Sequence, residues 1–451
     1  MSKSSNNGSN VSTSSRPARP SRPSLRPNCS PPCGLSFTET CRMREHPAIG
    51  ELRAAGVVCF GGEDWWYHNR AHCDMQLMRQ YARAARVLYV NSIVMRKPNI
   101  GEGRMFFRRL TRKLRSIGRG VTRVSDNFWV YSPVTAPVHH VPLARGLNQA
   151  ALRMQIRVIA HRAGLTTPIV WVNCPVAADT ALALRRCALV YQRTDRYEEY
   201  PGVDRDAVLR CDEMLKRRAD LTFYSSRSLY EEERAACRRA AYVDHGVDYE
   251  RFACGGGESP EELRDIPRPI AGFFGGMDAH TFDYPLMLDV VRHTPEVSFV
   301  FVGNSSIDRS ELEACPNAFL IPQQPYERIP AFGRAFDTCL MPWNRNRWIA
   351  GCNPIKLKEY LALGKPIVST PFPELNRYEG LVLTARDAAE FAAQVRRAVA
   401  LDDPTLAERR RAAVQSSTWA AKADLILRML AGEDDPADPT LPTPTGELSH
   451  A

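Results

Sequence analysis

Lys356 and Glu359 sit three residues apart in the stretch CNPIKLKEYLALGKPIVSTP, residues 352–371, so on a helix they share one face. Asn353 is a good N-cap, Pro354 a good first helical residue and Gly364 a natural stop, which predicts a helix running through Ile355 to about Leu363. Such an N-terminus carries about half a positive charge and unpaired N–H groups, and both suit a diphosphate. Glu359 can accept hydrogen bonds from a vicinal diol such as the two hydroxyls of a ribose, while Lys356 adds a point charge toward phosphate. The spacing equally fits Glu359 pairing with Lys356 or Lys358 on a solvated face.

Other residues with chemistry lie at strand ends. Gly275 and Gly276 follow an apolar run and permit close backbone approach to a diphosphate, or simply a strand-to-helix turn. Compensating positive charge is expected from Arg345, Arg347 or Lys356. The stretch FGGEDWWYHNRAHCDMQLMRQYA begins with Gly61 and Gly62, then places Trp65, Trp66 and Tyr67 beside His68 and Arg70. These aromatics fit a platform for sugar rings on the acceptor side, or core anchors at a domain edge. Asp195 ends the run ALVYQRTD, either facing a ligand or capping a turn, and His139 and His140 fit a turn. Cys29, Cys33, Cys41 and His46 match no common finger spacing, so no metal site is expected there.

The elements that must position these groups alternate. GVVCF, RVLYVN, FWVYSP, PIVWVN, ALVYQRTD, LTFYSS and AYVDHG are strand-like and mostly separated by helical segments, which is the pattern of βαβ units on a parallel sheet. Residues 253–269 concentrate Gly, Pro and charge and read as a linker. A second series follows: IAGFFGG, VSFVFVGN, AFLIP, DTCLMPW, PIVSTP and GLVLTA. The expected fold is α/β with two tandem doubly wound, Rossmann-like domains at 46–252 and 270–432. Carboxyl-end loops of both should face one central cleft. Residues 1–45 and 433–451 are expected to be disordered tails. A chain of 451 residues, 44% hydrophobic, has enough apolar material for two such cores.

The opening residues have no apolar core of a signal peptide, and no run approaches the roughly 18 to 20 apolar residues of a membrane span, so a cytoplasmic location is expected. Thirteen scattered cysteines suit a reducing compartment. The formal charge of +10 is concentrated at RMFFRRLTRKLRSIGRGVTR, residues 104–123, with eight basic residues and no acidic one. Phe106, Phe107, Leu110, Leu114 and Ile117 fall at helical spacing there. That helix either lies on an anionic membrane surface or packs its apolar stripe on the domain. No nucleic-acid-binding signature accompanies the charge.

PIKLKEYLALGKPIVST resembles the C-terminal nucleotide-sugar motif of the GT-B glycosyltransferases, group 1 (family 4). GFFGGMDAHTFDYPLML with SFVFVGN, ERIPAFGRAFDTCLMPW, and ADLTFYSSRSL followed by VDHGVDYERF agree with that family in order and spacing, over roughly residues 55–430. The resemblance implies a GT-B fold, no tightly bound cofactor, and a nucleotide diphosphate sugar donor whose ribose is bound by Glu359; Asn353, Pro354, Gly275 and Gly276 are expected beside it from their own backbone geometry. It also implies transfer with retention and without a tightly bound metal, in cell-surface polysaccharide synthesis on a glycan or lipid-linked acceptor, including the inner face of the plasma membrane. Asp195 is placed like an acidic residue that faces the donor, and it and Lys356 are the expected catalytic groups. Loops around Gln323 and Gln324 would set the nucleobase.

Two departures matter. Counting back eight from Glu359 gives Gly351, so the family's first motif Glu, which contacts the donor sugar, is absent; the Arg and Lys that follow the first donor-domain strand are missing too. A nucleotide-sugar epimerase of the same fold and a non-catalytic scaffold therefore stay open beside the transferase.

Overall fold

The computed structural model describes residues 47–67, 71–93, 104–135, 142–255, 258–401 and 403–433. The expected tails, the Cys29/Cys33/Cys41/His46 group, His68, Arg70, His139 and His140 lie outside the described residues.

The first sheet contains β1 (Val57–Phe60), β2 (Val87–Val90), β3 (Val121–Ser125), β4 (Phe128–Tyr131), β5 (Ile169–Val172), β6 (Ala188–Arg193), β7 (Leu221–Tyr224) and β8 (Ala240–Tyr242), in the spatial order β3-β4-β2-β1-β5-β6-β7-β8. Its helices are α1 (Pro47–Ala55), α2 (Cys73–Tyr81), α3 (Arg104–Gly118), α4 (Pro142–Arg162), α5 (Ala178–Leu182), α6 (Arg205–Arg218) and α7 (Arg227–Glu233), with α8 (Tyr249–Ala253) leading out. All neighbours are parallel except β3 and β4, an antiparallel edge pair. The basic stretch 104–123 is therefore not one helix: it stops at Gly118, turns at Gly120 with φ +57°, and enters β3.

The second sheet runs β11 (Ala318–Ile321), β10 (Ser298–Val302), β9 (Ile270–Phe274), β12 (Thr338–Met341), β13 (Ile367–Ser369), β14 (Leu383–Thr384), all parallel. Between and after these strands come α9 (Tyr284–Arg292), α10 (Ser310–Glu313), α11 (Ile329–Ala335), α12 (Arg347–Ala350), α13 (Ile355–Leu363), α14 (Ala388–Val399), α15 (Pro404–Gln415) and α16 (Trp419–Leu430). In both sheets the strand order reverses beside the first strand, at β1/β5 and at β9/β12, which is where an open sheet leaves a crevice at its carboxyl edge.

Parallel strands are covered on both faces, and the burial follows from that. Along β1, Val57 and Cys59 join a cluster with α2, whereas Val58 and Phe60 join another with Leu152 and Ile156 of α4. The C-terminal boundary differs from the sequence expectation. Trp419, Ala423, Ile426, Leu427 and Met429 of α16 belong to the core of the first sheet, and the Tyr81 hydroxyl donates to the Ala423 carbonyl at 3.3 Å. An amphipathic helix takes whichever apolar face is uncovered, and α2 offers one; α16 thus leaves the second domain and completes the first.

Candidate functional site between the sheets

The helix α13 is the centre. Pro354 itself is its N-cap, with φ −71° and ψ 127° and no side chain capping it; Gly364 closes it in the left-handed conformation at φ +75°. Asn353 does not cap. Its amide Nδ2 donates to the Ser225 carbonyl at 2.7 Å, so this residue ties the helix entrance to the end of β7 in the other domain.

Lys356 and Glu359 lie on one side of α13, as their spacing requires. Glu359 is 3% exposed and accepts from the Tyr326 hydroxyl at 3.0 Å. Burial pushes its carboxyl up to about 7, against the opposing pull of Lys356 and the Tyr326 hydrogen bond. The solvated-face alternative is excluded. Lys356 is half-buried, its ammonium 5.3 Å from the Trp343 ring centroid and 5.7 Å from that of Phe273, and burial lowers its pKa.

Gly275 explains why that lysine fits. The residue follows β9 with φ +144°, and a Cβ on it would stand 2.1 Å from Lys356 Cε and 2.6 Å from Nζ. Gly276 beside it faces open space. Gly275→Ala should displace the ammonium and strain the turn. We expect a loss of about 1–3 kcal/mol in thermal stability. A Gly275→Ala chain as stable as the parent would show that the turn relaxes freely.

From the first domain, Asp195 reaches this cluster. Burial raises its carboxyl to about 6, while a hydrogen bond from the Cys352 thiol and the charge of Arg193 oppose the rise. Cys352 precedes α13, so this contact crosses between domains. Arg193, fully buried at the end of β6, holds the loop that carries Asp195. Its Nη1 donates to the Asp195 carbonyl at 2.8 Å, Nη2 meets Glu198 at 2.9 Å and Glu233 at 3.0 Å, and Nε lies 3.4 Å from Asp212.

The glycine loop after β1 hugs its neighbours. A Cβ on Gly61 would lie 2.1 Å from the Tyr89 hydroxyl and one on Gly62 2.6 Å from Asn173 Nδ2. Gly62 N donates to Asp74 at 2.9 Å. The aromatic residues beyond it do not form an open platform. Trp65 is 2% exposed and packs 4.7 Å from Phe128, Trp66 lies under the Arg119 guanidinium at 4.5 Å and Tyr67 under Arg112 at 5.5 Å. Of the rings expected to meet sugar, Trp65 is therefore taken up by core packing, while Trp66 and Tyr67 are half-buried under cation–π contacts.

The arginines expected to compensate are engaged elsewhere. Arg345 is exposed and donates to the Arg386 carbonyl; Arg347 lies 3.6 Å from Glu199 of the first domain. Gln323 is exposed after β11 and accepts from Asn304 after β10. Gly351, in place of a carboxylate, has its missing Cβ position 2.9 Å from Arg196 Nε and 3.2 Å from Leu229. A glutamate there would have to displace both.

Several participants escaped the sequence reading. Tyr326 follows the Gln323–Gln324 loop, and only packing brings it to Glu359. Tyr200, Trp348 and His280 form an aromatic bridge between domains, with Trp348 5.1 Å from Tyr200 and 5.4 Å from His280. Asp244 after β8 receives Lys358 of α13 at 2.5 Å, Arg377 at 2.9 Å, and Lys422 of α16. Burial pushes the Asp244 pKa up, but Lys358, Lys422 and Arg377 outweigh it and hold the carboxyl far below its usual range. Burial in turn pulls Lys358 down to about 8. Lys358 carried a signal: two residues from Lys356 is about 200° around a helix, so the two cannot share a face. The chain's single Asp-x-Asp triplet, Asp204 to Asp206, opens α6, where Asp204 caps the helix by accepting from Ala207 N at 3.2 Å. Among the described residues no His, Cys, Asp and Glu side chains group as metal ligands.

Residues 268–400 match the family described as glycosyl transferases group 1. Among curated proteins the chain is 27% identical over 173 residues to TuaH of Bacillus subtilis, whose name places it among teichuronic acid biosynthesis glycosyltransferases. That match covers 36% of this chain and 43% of the relative, less than half its length. In fold, HepE of Anabaena, solved in complex with UDP-glucose, superposes with a TM-score of 0.59 at 14% identity, over 84% of this chain and 100% of that one. Sucrose-phosphate synthase from Thermosynechococcus elongatus gives 0.59 at 14% over 84% and 99%. A trehalose 6-phosphate synthase from Burkholderia multivorans gives 0.58 at 14% over 83% and 98%.

Proposed function

Because residues 268–400 match the family of glycosyl transferases group 1 and the two sheets share the GT-B fold of the solved neighbours, we propose that this chain takes a sugar from a nucleotide diphosphate sugar and places it on a glycan or lipid-linked acceptor in cell-surface polysaccharide synthesis, at the cytoplasmic side of the membrane. The observation that carries this reading is α13: an uncapped helix N-terminus with Lys356 on the same side as a buried Glu359.

In the proposed complex Glu359 binds the ribose diol. The α13 N-terminus, Lys356 and the open backbone of Gly275 and Gly276 hold the diphosphate, and Gln323 lies toward the base. Charge developing on the leaving diphosphate is then met by fixed dipoles and one ammonium, without a metal and with retention at the anomeric carbon. Asp195 faces the transferred sugar from the other domain. Uridine is the first base to try, since HepE was solved with UDP-glucose.

The test is thermal unfolding against UDP, GDP, ADP, dTDP and CMP and their sugar derivatives. A ligand at about one hundred times its dissociation constant stabilises by about 2.7 kcal/mol. We expect a shift with one nucleotide class that falls away in Lys356→Ala. No shift with any of them would overturn the reading in favour of a scaffold.

A further inference from the structure

We propose that the edge of the first domain built by α3, β3 and α4 is a docking surface for anionic lipid. The inference stands on charge and exposure and is independent of the nucleotide site.

Much of the positive charge of the chain is local. Residues 104–162 hold twelve Lys and Arg and one acidic residue, Asp126, so this segment alone exceeds the formal +10 of the whole chain and the remainder is close to neutral. Exposed apolar groups are just as local. Among the described residues every large hydrophobic side chain that is strongly exposed lies between Leu110 and Val158, including Leu114 at 59%, Leu147 at 67% and Met154 at 65%.

The described C-terminal half of α3 leaves two leucines off the domain. It is fastened by polar groups: Ser116 is buried, donates to Asp64 at 2.7 Å and receives Asn91, and the Lys113 ammonium donates to the Ser92 carbonyl at 2.9 Å. Leu110 and Leu114, four apart, are left facing outward. On α4, Leu152 and Ile156 face the core while Leu147, Met154 and Val158 face out. Both helices lean on the same stretch of chain after β4. Ser116 meets Ser132 at 2.5 Å, and Gln155 of α4 bonds both the N–H and the carbonyl of Val134 at 3.0 Å.

Aliphatic side chains among cations, with almost no acidic residue, suit a headgroup interface, where the stems enter the acyl boundary and the guanidiniums meet lipid phosphate. Nucleic acid would use the charge and leave the aliphatics idle. Strand β4 is parallel to β2 and β1, so its carboxyl end lies on the same edge of the sheet as Gly61. The docked lipid surface would therefore adjoin the cleft. If the transfer reading holds, that places a lipid-linked acceptor beside the site.

The experiment is co-sedimentation of the full chain with vesicles of phosphatidylcholine, alone or with about one third phosphatidylglycerol, at low and high salt. We expect at least tenfold stronger partition onto the anionic vesicles, weakened by salt. The triple variant Leu147→Asp, Met154→Asp, Val158→Asp should lose at least tenfold while keeping the parent's thermal midpoint. Should that variant misfold, Leu110→Ser with Leu114→Ser serves instead. Equal binding to both vesicle types overturns the proposal, as does full binding by a folded variant. Displacement from vesicles by a short DNA duplex that the variant binds equally well would reassign the charge to nucleic acid. A parent dimer that the variant makes monomeric, without vesicle preference, would reassign the face to self-association. Vesicle binding in a chain that gives no nucleotide shift would leave this surface standing and reject the transfer reading.

Discussion

Glu359→Gln unfolds at a higher temperature than the parent chain at pH 8, and the difference closes by about pH 4, near the ordinary carboxylate pKa. Burial raises this carboxyl in the folded chain to about 7 from an ordinary 4.5. The folded state thus holds the proton more tightly than the unfolded one. Below the unfolded value the parent loses nothing; as pH rises through about 7 the buried charge costs stability. The shift corresponds to about 3 kcal/mol at pH 8. Gln removes the titration and keeps the volume. The same substitution should weaken nucleotide binding at least tenfold, because a charged acceptor for two hydroxyls becomes a neutral one for one. Melting curves from pH 4 to 8, with and without UDP, read both effects. A pH-independent difference, or an undiminished UDP shift, would show that Glu359 is not the buried ribose carboxylate.

Asp244→Ala should destabilise the chain by about 3–5 kcal/mol, since removal of one partner of a buried ion pair strands the other. Here Lys358, Arg377 and Lys422 are stranded together, from α13, the segment after β13, and α16. Adding Lys358→Met should recover part of the loss, because the most deeply buried of the three charges is then gone. The depressed carboxyl also makes a pH prediction. Its stabilisation is present above the unfolded value of about 4 and is lost as pH falls below it, so the parent and Asp244→Ala should converge in acid. A melting midpoint unchanged by Asp244→Ala at pH 7 would mean the three cations find solvent without cost. The position matters for function because α13 carries Glu359 on one side and is anchored through Lys358 on the other.

The two sheets were legible because a parallel strand buried on both faces is an unbroken apolar run, and each run was separated from the next by Gly, Pro or a helix-period segment. Helix α13 was legible for the same local reasons, with Gly364 ending it and Lys356 and Glu359 on one side. What periodicity shows is which residues share a face. It does not show what that face meets. The described part of α3 is held by Ser116 and Lys113, and Leu110 and Leu114 are turned away from the domain, which their spacing alone did not show. For Trp65, Trp66 and Tyr67 the residue types suited either sugar or core; Phe128, distant in sequence, takes Trp65 into the core, while Trp66 and Tyr67 stay half-buried beneath Arg119 and Arg112.

By itself the sequence determined the two alternating domains, a helix through Ile355 to about Leu363, and the carboxylate and ammonium three residues apart on it, since each depends on backbone geometry within one or two turns; that Pro354 and not Asn353 is its N-cap came from the structure. Tertiary structure alone decided that Lys358 would find Asp244, that Arg196 would fill the space beside Gly351, that Cys352 would meet Asp195, and that α16 would return to the first sheet. Each of these joins residues that are far apart in the chain or in different domains, and burial forces the pairing, because an ion or apolar face taken out of water must meet whatever the other domain presents.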